Sequence, residues 1–177
     1  MDTTRTTGTG PLAAPEAGTY DIDTTASAVR FRTRSVFGIV PVRGTFGLAR
    51  GTVVVADPVE ESTVDVTIRT DTFDSGLRRR DRHVLSADYL DAATYPEIAF
   101  RAHGLRRAEQ GAVLEGELTV HGVTGTVAVT VDSSVTEGRR LRVRGTATID
   151  RYAFGVTKAK GMTGRRLRVD LDVHATR

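Results

Sequence analysis

A chain of 177 residues, 39% hydrophobic and 27% charged, has the size and balance of one globular domain that can bury a core. It contains no cysteine, which excludes disulfides, thiol catalysis and cysteine-held metals. The net charge is +3, with Lys158 and Lys160 the only lysines; so small an arginine-based excess favours anionic partners without naming one.

Residues 1–18 are rich in Thr, Gly, Ala and Pro and show no basic stretch leading into an apolar one. They are expected to be a disordered tail on a cytoplasmic protein, with 19–177 forming the single folded domain. No segment approaches the roughly 20 apolar residues of a membrane-spanning helix.

From Tyr20 onward apolar residues recur at every second position, the period of a strand with one dry and one wet face. Val29, Phe31 and Thr33 form the first such row and Val40, Val42, Gly44, Phe46 and Leu48 the next. Val64, Val66 and Ile68 follow. After an interruption come Ile98, Phe100 and Ala102, then Leu114, Gly116, Leu118 and Val120, then Val127, Val129 and Val131. Leu141 to Ile149 and Leu167 to Val173 supply the last two rows. Glu109-Gln110-Gly111, His121-Gly122-Val123-Thr124-Gly125 and Thr136-Glu137-Gly138-Arg139 have the composition of hairpin turns. About eight strands joined this way predict an all-β, eight-stranded antiparallel barrel, which abolishes free edges and is wide enough for side chains or one small ligand.

The interruption falls between the third and fourth strand segments. Asp74-Ser75 are good N-cap residues for a short helix over 76–85, and Tyr95-Pro96 ends the insert. Leu77, Val84 and Leu85 fall near one face of that helix. Two or three turns cannot stand alone in water, so the insert must pack on the barrel.

The inward rows contain many small residues, among them Ala28, Gly44, Ala102, Gly116, Gly145 and Ala147, and the chain has no tryptophan. That composition favours a hollow interior, although small residues equally mark bends. Phe31, Phe37, Val42, Phe46, Ile68, Phe73, Leu77, Leu85, Tyr89, Phe100, Phe154 and Met162 are the candidates to line it, or else are ordinary core. The Gly-rich connection 153–165, with both lysines and Met162, suits a flap at a mouth or a plain surface loop.

The four histidines, His83, His103, His121 and His174, lack metal-site spacing, so no metal is expected. Asp81, His83 and a serine such as Ser75 or Ser86 lack the strained nucleophile turn of a hydrolase. A structural role fits them better, and no catalytic residue is assigned. The arginines are scattered at strand ends and alternate positions, without the interleaved aromatics of a nucleic-acid binder, so nucleic acid is not expected as a partner.

Several motifs in order resemble the YceI-like family. They are Tyr20-Asp21-Ile22-Asp23, Val42-Arg43-Gly44-Thr45-Phe46, Arg80-Asp81-Arg82-His83 with Tyr95-Pro96-Glu97-Ile98-Ala99-Phe100, Leu118-Thr119-Val120-His121-Gly122-Val123-Thr124, and Arg151-Tyr152-Ala153-Phe154-Gly155-Val156. The resemblance covers Tyr20 to Ala175 and implies a lipocalin-like barrel with an elongated apolar tunnel. It implies non-catalytic binding, storage or transport of a polyisoprenoid, an isoprenoid quinone or a prenyl diphosphate, with no cofactor and no stable membrane insertion. Arg78, Arg80, His83, His121 and Lys158 are then candidates to meet the head group. The alternative is an enzyme acting on a small apolar substrate in the same cavity, with His83 or His121 as general base. A homodimer through the last strand is expected only if the barrel closes imperfectly. Two departures stand out: Ala26-Ser27 and Phe31-Arg32 lie where the family often carries histidine, so a head group contacted there would differ.

Overall fold

The computed structural model describes residues 14–177, so most of the segment expected to be a tail, 1–13, lies outside the described residues. Nine strands are present: β1 (Gly18–Ile22), β2 (Ala28–Ser35), β3 (Val40–Val55), β4 (Thr63–Asp74), β5 (Glu97–Arg107), β6 (Ala112–Val120), β7 (Val123–Glu137), β8 (Arg140–Asp150) and β9 (Arg166–Thr176). One helix, α1 (Arg78–Leu85), lies between β4 and β5.

All pairings are antiparallel, and β3–β4 closes the sheet on itself. β1 and β2 form a single broken stave. β1 lies against Thr52–Val55 of β3 and the end of β9, and β2 continues against Val40–Phe46 of β3 and Arg168–Asp172 of β9. The break is an Asx turn in which the Asp23 carboxylate accepts from the backbone N–H groups of Thr25 and Ala26 at 2.9 and 3.0 Å. The barrel therefore has eight staves, as expected. β9 is hydrogen-bonded on both sides and offers no free edge to a second copy.

Strand alternation sends the β2–β3, β4–β5, β6–β7 and β8–β9 connections to one end, which also carries α1. The start of β1, the end of β9 and the β3–β4, β5–β6 and β7–β8 connections lie at the far end. That far end is packed by Tyr20, Ile22, Val55, Leu141 and Ala175. At the α1 end Phe31, Phe46 and Phe73 form a cluster with ring centroids between 5.1 and 5.8 Å apart. Val84 and Leu85 of α1 pack on Phe31, Val42 and Phe73, which is what holds so short a helix in place.

Two local expectations change. The α1 N-cap position is Leu77, with no side-chain cap, rather than Asp74-Ser75. Instead Asp81, inside the first turn, reaches back to the backbone N–H of Ser75 at 3.1 Å and to its hydroxyl. Arg80 donates to the Ser75 hydroxyl at 2.7 Å and to its carbonyl at 2.8 Å. The small residues Gly44 and Gly116 do not vacate space. A Cβ on Gly116 would come within 2.8 Å of the Phe100 ring, so that glycine admits an aromatic side chain. No helix among the described residues is long and apolar enough to cross a membrane.

Candidate functional site: an apolar tunnel through the barrel

The barrel is hollow. A cavity of about 1110 Å³ extends from the α1 end, where Leu77, Arg79, Arg80, His83, Tyr89 and Arg151 line it, to the far end at Arg107, Glu109 and Ser134. Its walls are the inward rows of every stave, with Phe46, Ile68, Phe100, Val129, Ala147 and Leu171 among them. The volume exceeds the roughly 300–1,000 Å³ of common small-molecule sites.

The α1 end carries most of the polar chemistry. Arg151, on the 3-10 turn Arg151–Phe154, is only 7% exposed. Its guanidinium donates to the carbonyls of Val156, Thr163 and Gly164 at 2.8, 3.1 and 2.9 Å. It also lies 4.8 Å from the Tyr152 ring centroid and 5.9 Å from that of Tyr89. No carboxylate stands within 4 Å of it among the described residues, so its charge is met by carbonyl dipoles and aromatic faces alone. Nearby, His83 Nε2 lies 3.2 Å from the Asp88 carboxylate and stacks edge-on against Tyr89. Lys158 approaches the same carboxylate at 3.5 Å. The His83 hydrogen bond, and then the Lys158 charge, hold the Asp88 carboxyl below its ordinary range. Asp88 thus fastens α1 to the 155–165 connection.

At the far end, two hydroxyls face inward after a bulge between Val131 and Ser133 shifts the alternation of β7. Ser134 Oγ and Thr136 Oγ1 are buried and have no hydrogen-bond partner among the described residues. No group of three or more histidine or acidic side chains there or elsewhere in the described residues could hold a metal ion.

The profile of the YceI-like domain matches residues 20–175. The chain belongs to the YceI-like family. Among relatives, a UPF0312 protein of Vibrio parahaemolyticus is 27% identical over 173 residues, 93% of this chain and 88% of that protein. A UPF0312 protein of Pseudomonas putida strain GB-1 is 32% identical over 124 residues, 67% of this chain but only 64% of its own length. Among solved structures, BcnA of Burkholderia cenocepacia superposes with a TM-score of 0.78 at 24% identity, over 88% of this chain and 99% of BcnA. A polyisoprenoid binding domain from Saccharophagus degradans implicated in plant cell wall breakdown superposes at 0.68 and 18% identity, over 89% of this chain and 97% of that one. At these identities the two structures show that the YceI-like barrel is shared.

Of the residues singled out in the sequence, Phe31, Val42, Phe46, Ile68, Phe73, Leu77, Tyr89, Phe100 and Phe154 line the tunnel of this YceI-like chain, as do Arg80 and His83. Leu85 packs beneath α1 without reaching the cavity. Phe37 and Met162 lie outside it, largely exposed, because both sit in turns beyond the last inward position of their strands. Arg78 is exposed on α1, His121 stacks on Tyr95 at 4.9 Å, and Lys158 is committed to Asp88. Sequence reasoning passed over Arg79, Arg151 and Ser134. Arg151 opens the Arg-Tyr-Ala-Phe-Gly motif, the one signal that could have pointed to it.

Proposed function

We propose that this protein binds a polyisoprenoid or similar amphiphilic lipid in the tunnel, and stores or carries it without chemical change. The observation that carries the proposal is the end-to-end apolar cavity within a YceI-like barrel. The likeness to a structure described as a polyisoprenoid binding domain supports it. If each ligand atom takes about the ~30 Å³ share of a liquid water molecule, 1110 Å³ holds on the order of 35 non-hydrogen atoms, about seven five-carbon units. Burial contributes roughly 0.8 kcal/mol per CH2-sized group, so such a chain offsets an association cost on the order of 4–15 kcal/mol. The tail supplies affinity. The head, whether quinone or diphosphate, meets Arg79, Arg80, His83 and Arg151 at the α1 end.

Carriage is favoured over catalysis by the surroundings of the two histidines. The His83 ring bonds only to Asp88 among the described residues, with no hydroxyl in hydrogen-bonding reach, and His121 does not line the cavity. Native mass spectrometry with organic extraction of the purified protein tests the proposal. A co-purifying prenyl chain, or saturable uptake of an added one, is expected. Failure of the emptied protein to take up any prenyl alcohol, quinone or diphosphate would refute it.

A further inference from the structure

We propose that the α1 end of the barrel docks on an anionic lipid bilayer, placing the tunnel mouth against the membrane surface. The β2–β3 turn projects beyond the barrel with Phe37 and Ile39 each 74% exposed, and Met162 beside them is 52% exposed. These are one ridge rather than scattered side chains. The Phe37 N–H donates to the Met162 carbonyl at 3.3 Å, the Gly164 N–H donates to the Arg34 carbonyl, and Ser35 bridges to Thr163. Ser35, Thr163 and Gly164 line the tunnel, so the ridge is the lip of its mouth.

The backbone of the turn argues that these side chains are not there for stability. Val36 and Phe37 have φ of 51° and 55°, a left-handed conformation that disfavours β-branched and bulky residues and that asparagine or glycine would adopt more cheaply. A strained turn that presents apolar groups to water needs a partner.

Charge identifies the partner. The segments 33–46 and 151–169 that run to and from the lip contain no acidic residue, yet carry Arg34, Arg43, Lys158, Lys160, Arg165 and Arg166 among their cations. Arg34, Arg43, Lys160 and Arg166 have no carboxylate within 4 Å among the described residues. Lys158 and Arg165 pair with Asp88 and Asp150. Of the neighbouring acids, Asp81 is held against Ser75 inside the β4–α1 connection, while Asp74 accepts from the Gly76 N–H and stays exposed. An apolar tip ringed by cations matches an interface of acyl chains beneath anionic head groups. A second copy fits poorly, because it would set the same cations face to face.

The proposal is independent of which lipid fills the tunnel, and its test separates the two questions. The full chain is sedimented with vesicles of phosphatidylcholine alone and of phosphatidylcholine mixed with phosphatidylglycerol. Binding is expected to the mixed vesicles, falling steeply with added salt. The double variant Phe37→Ser/Ile39→Ser, altered only at exposed positions, should partition at least about tenfold more weakly. Its uptake of a fluorescent farnesyl alcohol from solution should be unchanged. Wild-type protein that ignores both vesicles, or a double variant that binds them equally well, would overturn the proposal. So would a wild-type dimer that the double variant dissolves, which would give the ridge to a second copy.

Discussion

Gly44 faces Phe31 across the β2–β3 pair, and a Cβ built on Gly44 would stand 2.5 Å from the Phe31 ring and 2.5 Å from the Asp74 carbonyl. The ring is packed against Phe46 and Phe73, and the carbonyl belongs to the strand backbone. Gly44→Ala should therefore destabilise the fold by about 1–3 kcal/mol, the range for overpacking a core. Urea unfolding read by far-UV circular dichroism measures it; a midpoint unchanged from wild type would show that the aromatic cluster has slack.

The same contact shows what the sequence could and could not disclose. Strands betray themselves through period two, so the rows from Val64 to Ile68 and from Leu141 to Ile149 were legible and do face inward. Bulges between Leu48 and Arg50, Ala102 and Leu105, and Val131 and Ser133 insert residues with no compositional mark. Each reverses the alternation beyond it, which hid the inward turn of Ser134. Phe37 and Met162 lie in turns, where no period applies, so hydrophobicity alone suggested a cavity that they do not reach. Arg151 reads as a surface cation because the carbonyls that hold it carry no side-chain signature.

Arg151 is the tie that holds the 155–165 connection over the α1 end. Its three carbonyl acceptors, on Val156, Thr163 and Gly164, would lose their donors together in Arg151→Met. Hydrogen bonds to a charged group contribute roughly 1.5–3 kcal/mol each, less whatever desolvation the guanidinium no longer suffers. A net loss of about 2–4 kcal/mol is expected, with faster amide hydrogen exchange confined to 155–165. Arg151→Lys should rescue little, since a single ammonium cannot span the planar fork of acceptors. Full rescue by lysine would assign the residue a charge role instead.

On the outer wall, Asp172 accepts from Arg142 Nε and Nη2 at 2.9 and 2.7 Å, with Arg144 and His174 also close. The Arg142 hydrogen bonds outweigh desolvation and hold its carboxyl below the usual range. A depressed folded-state pKa contributes stability that is complete above the unfolded value of about 3.9 and is lost as pH falls through the folded one. Asp172→Asn should thus be less stable than wild type by a constant margin, on the order of 1 kcal/mol, at neutral pH. The margin should shrink in acid. Denaturation series from neutral pH down past the carboxylate range test this, and a margin that widens in acid would contradict it.

Phe100 bears most directly on carriage. It sits on β5 between Val66 and Leu118, with its ring on the tunnel wall. Phe100→Arg puts a guanidinium into a carbon-lined space where it finds no carboxylate, so it must either drag water inward or unfold the barrel. Phe100→Trp keeps the wall apolar while narrowing the bore. Prenyl binding should vanish in the arginine variant. In the tryptophan variant it should weaken at least about tenfold for a chain of seven units, the equivalent of roughly two displaced methylene groups. A single isoprene unit should still bind, because it needs only one stretch of the tunnel. Fluorescent displacement by prenyl alcohols of increasing length separates these outcomes. Equal affinity for long chains in both folded variants would remove Phe100 from the lipid path and require the chain to lie elsewhere.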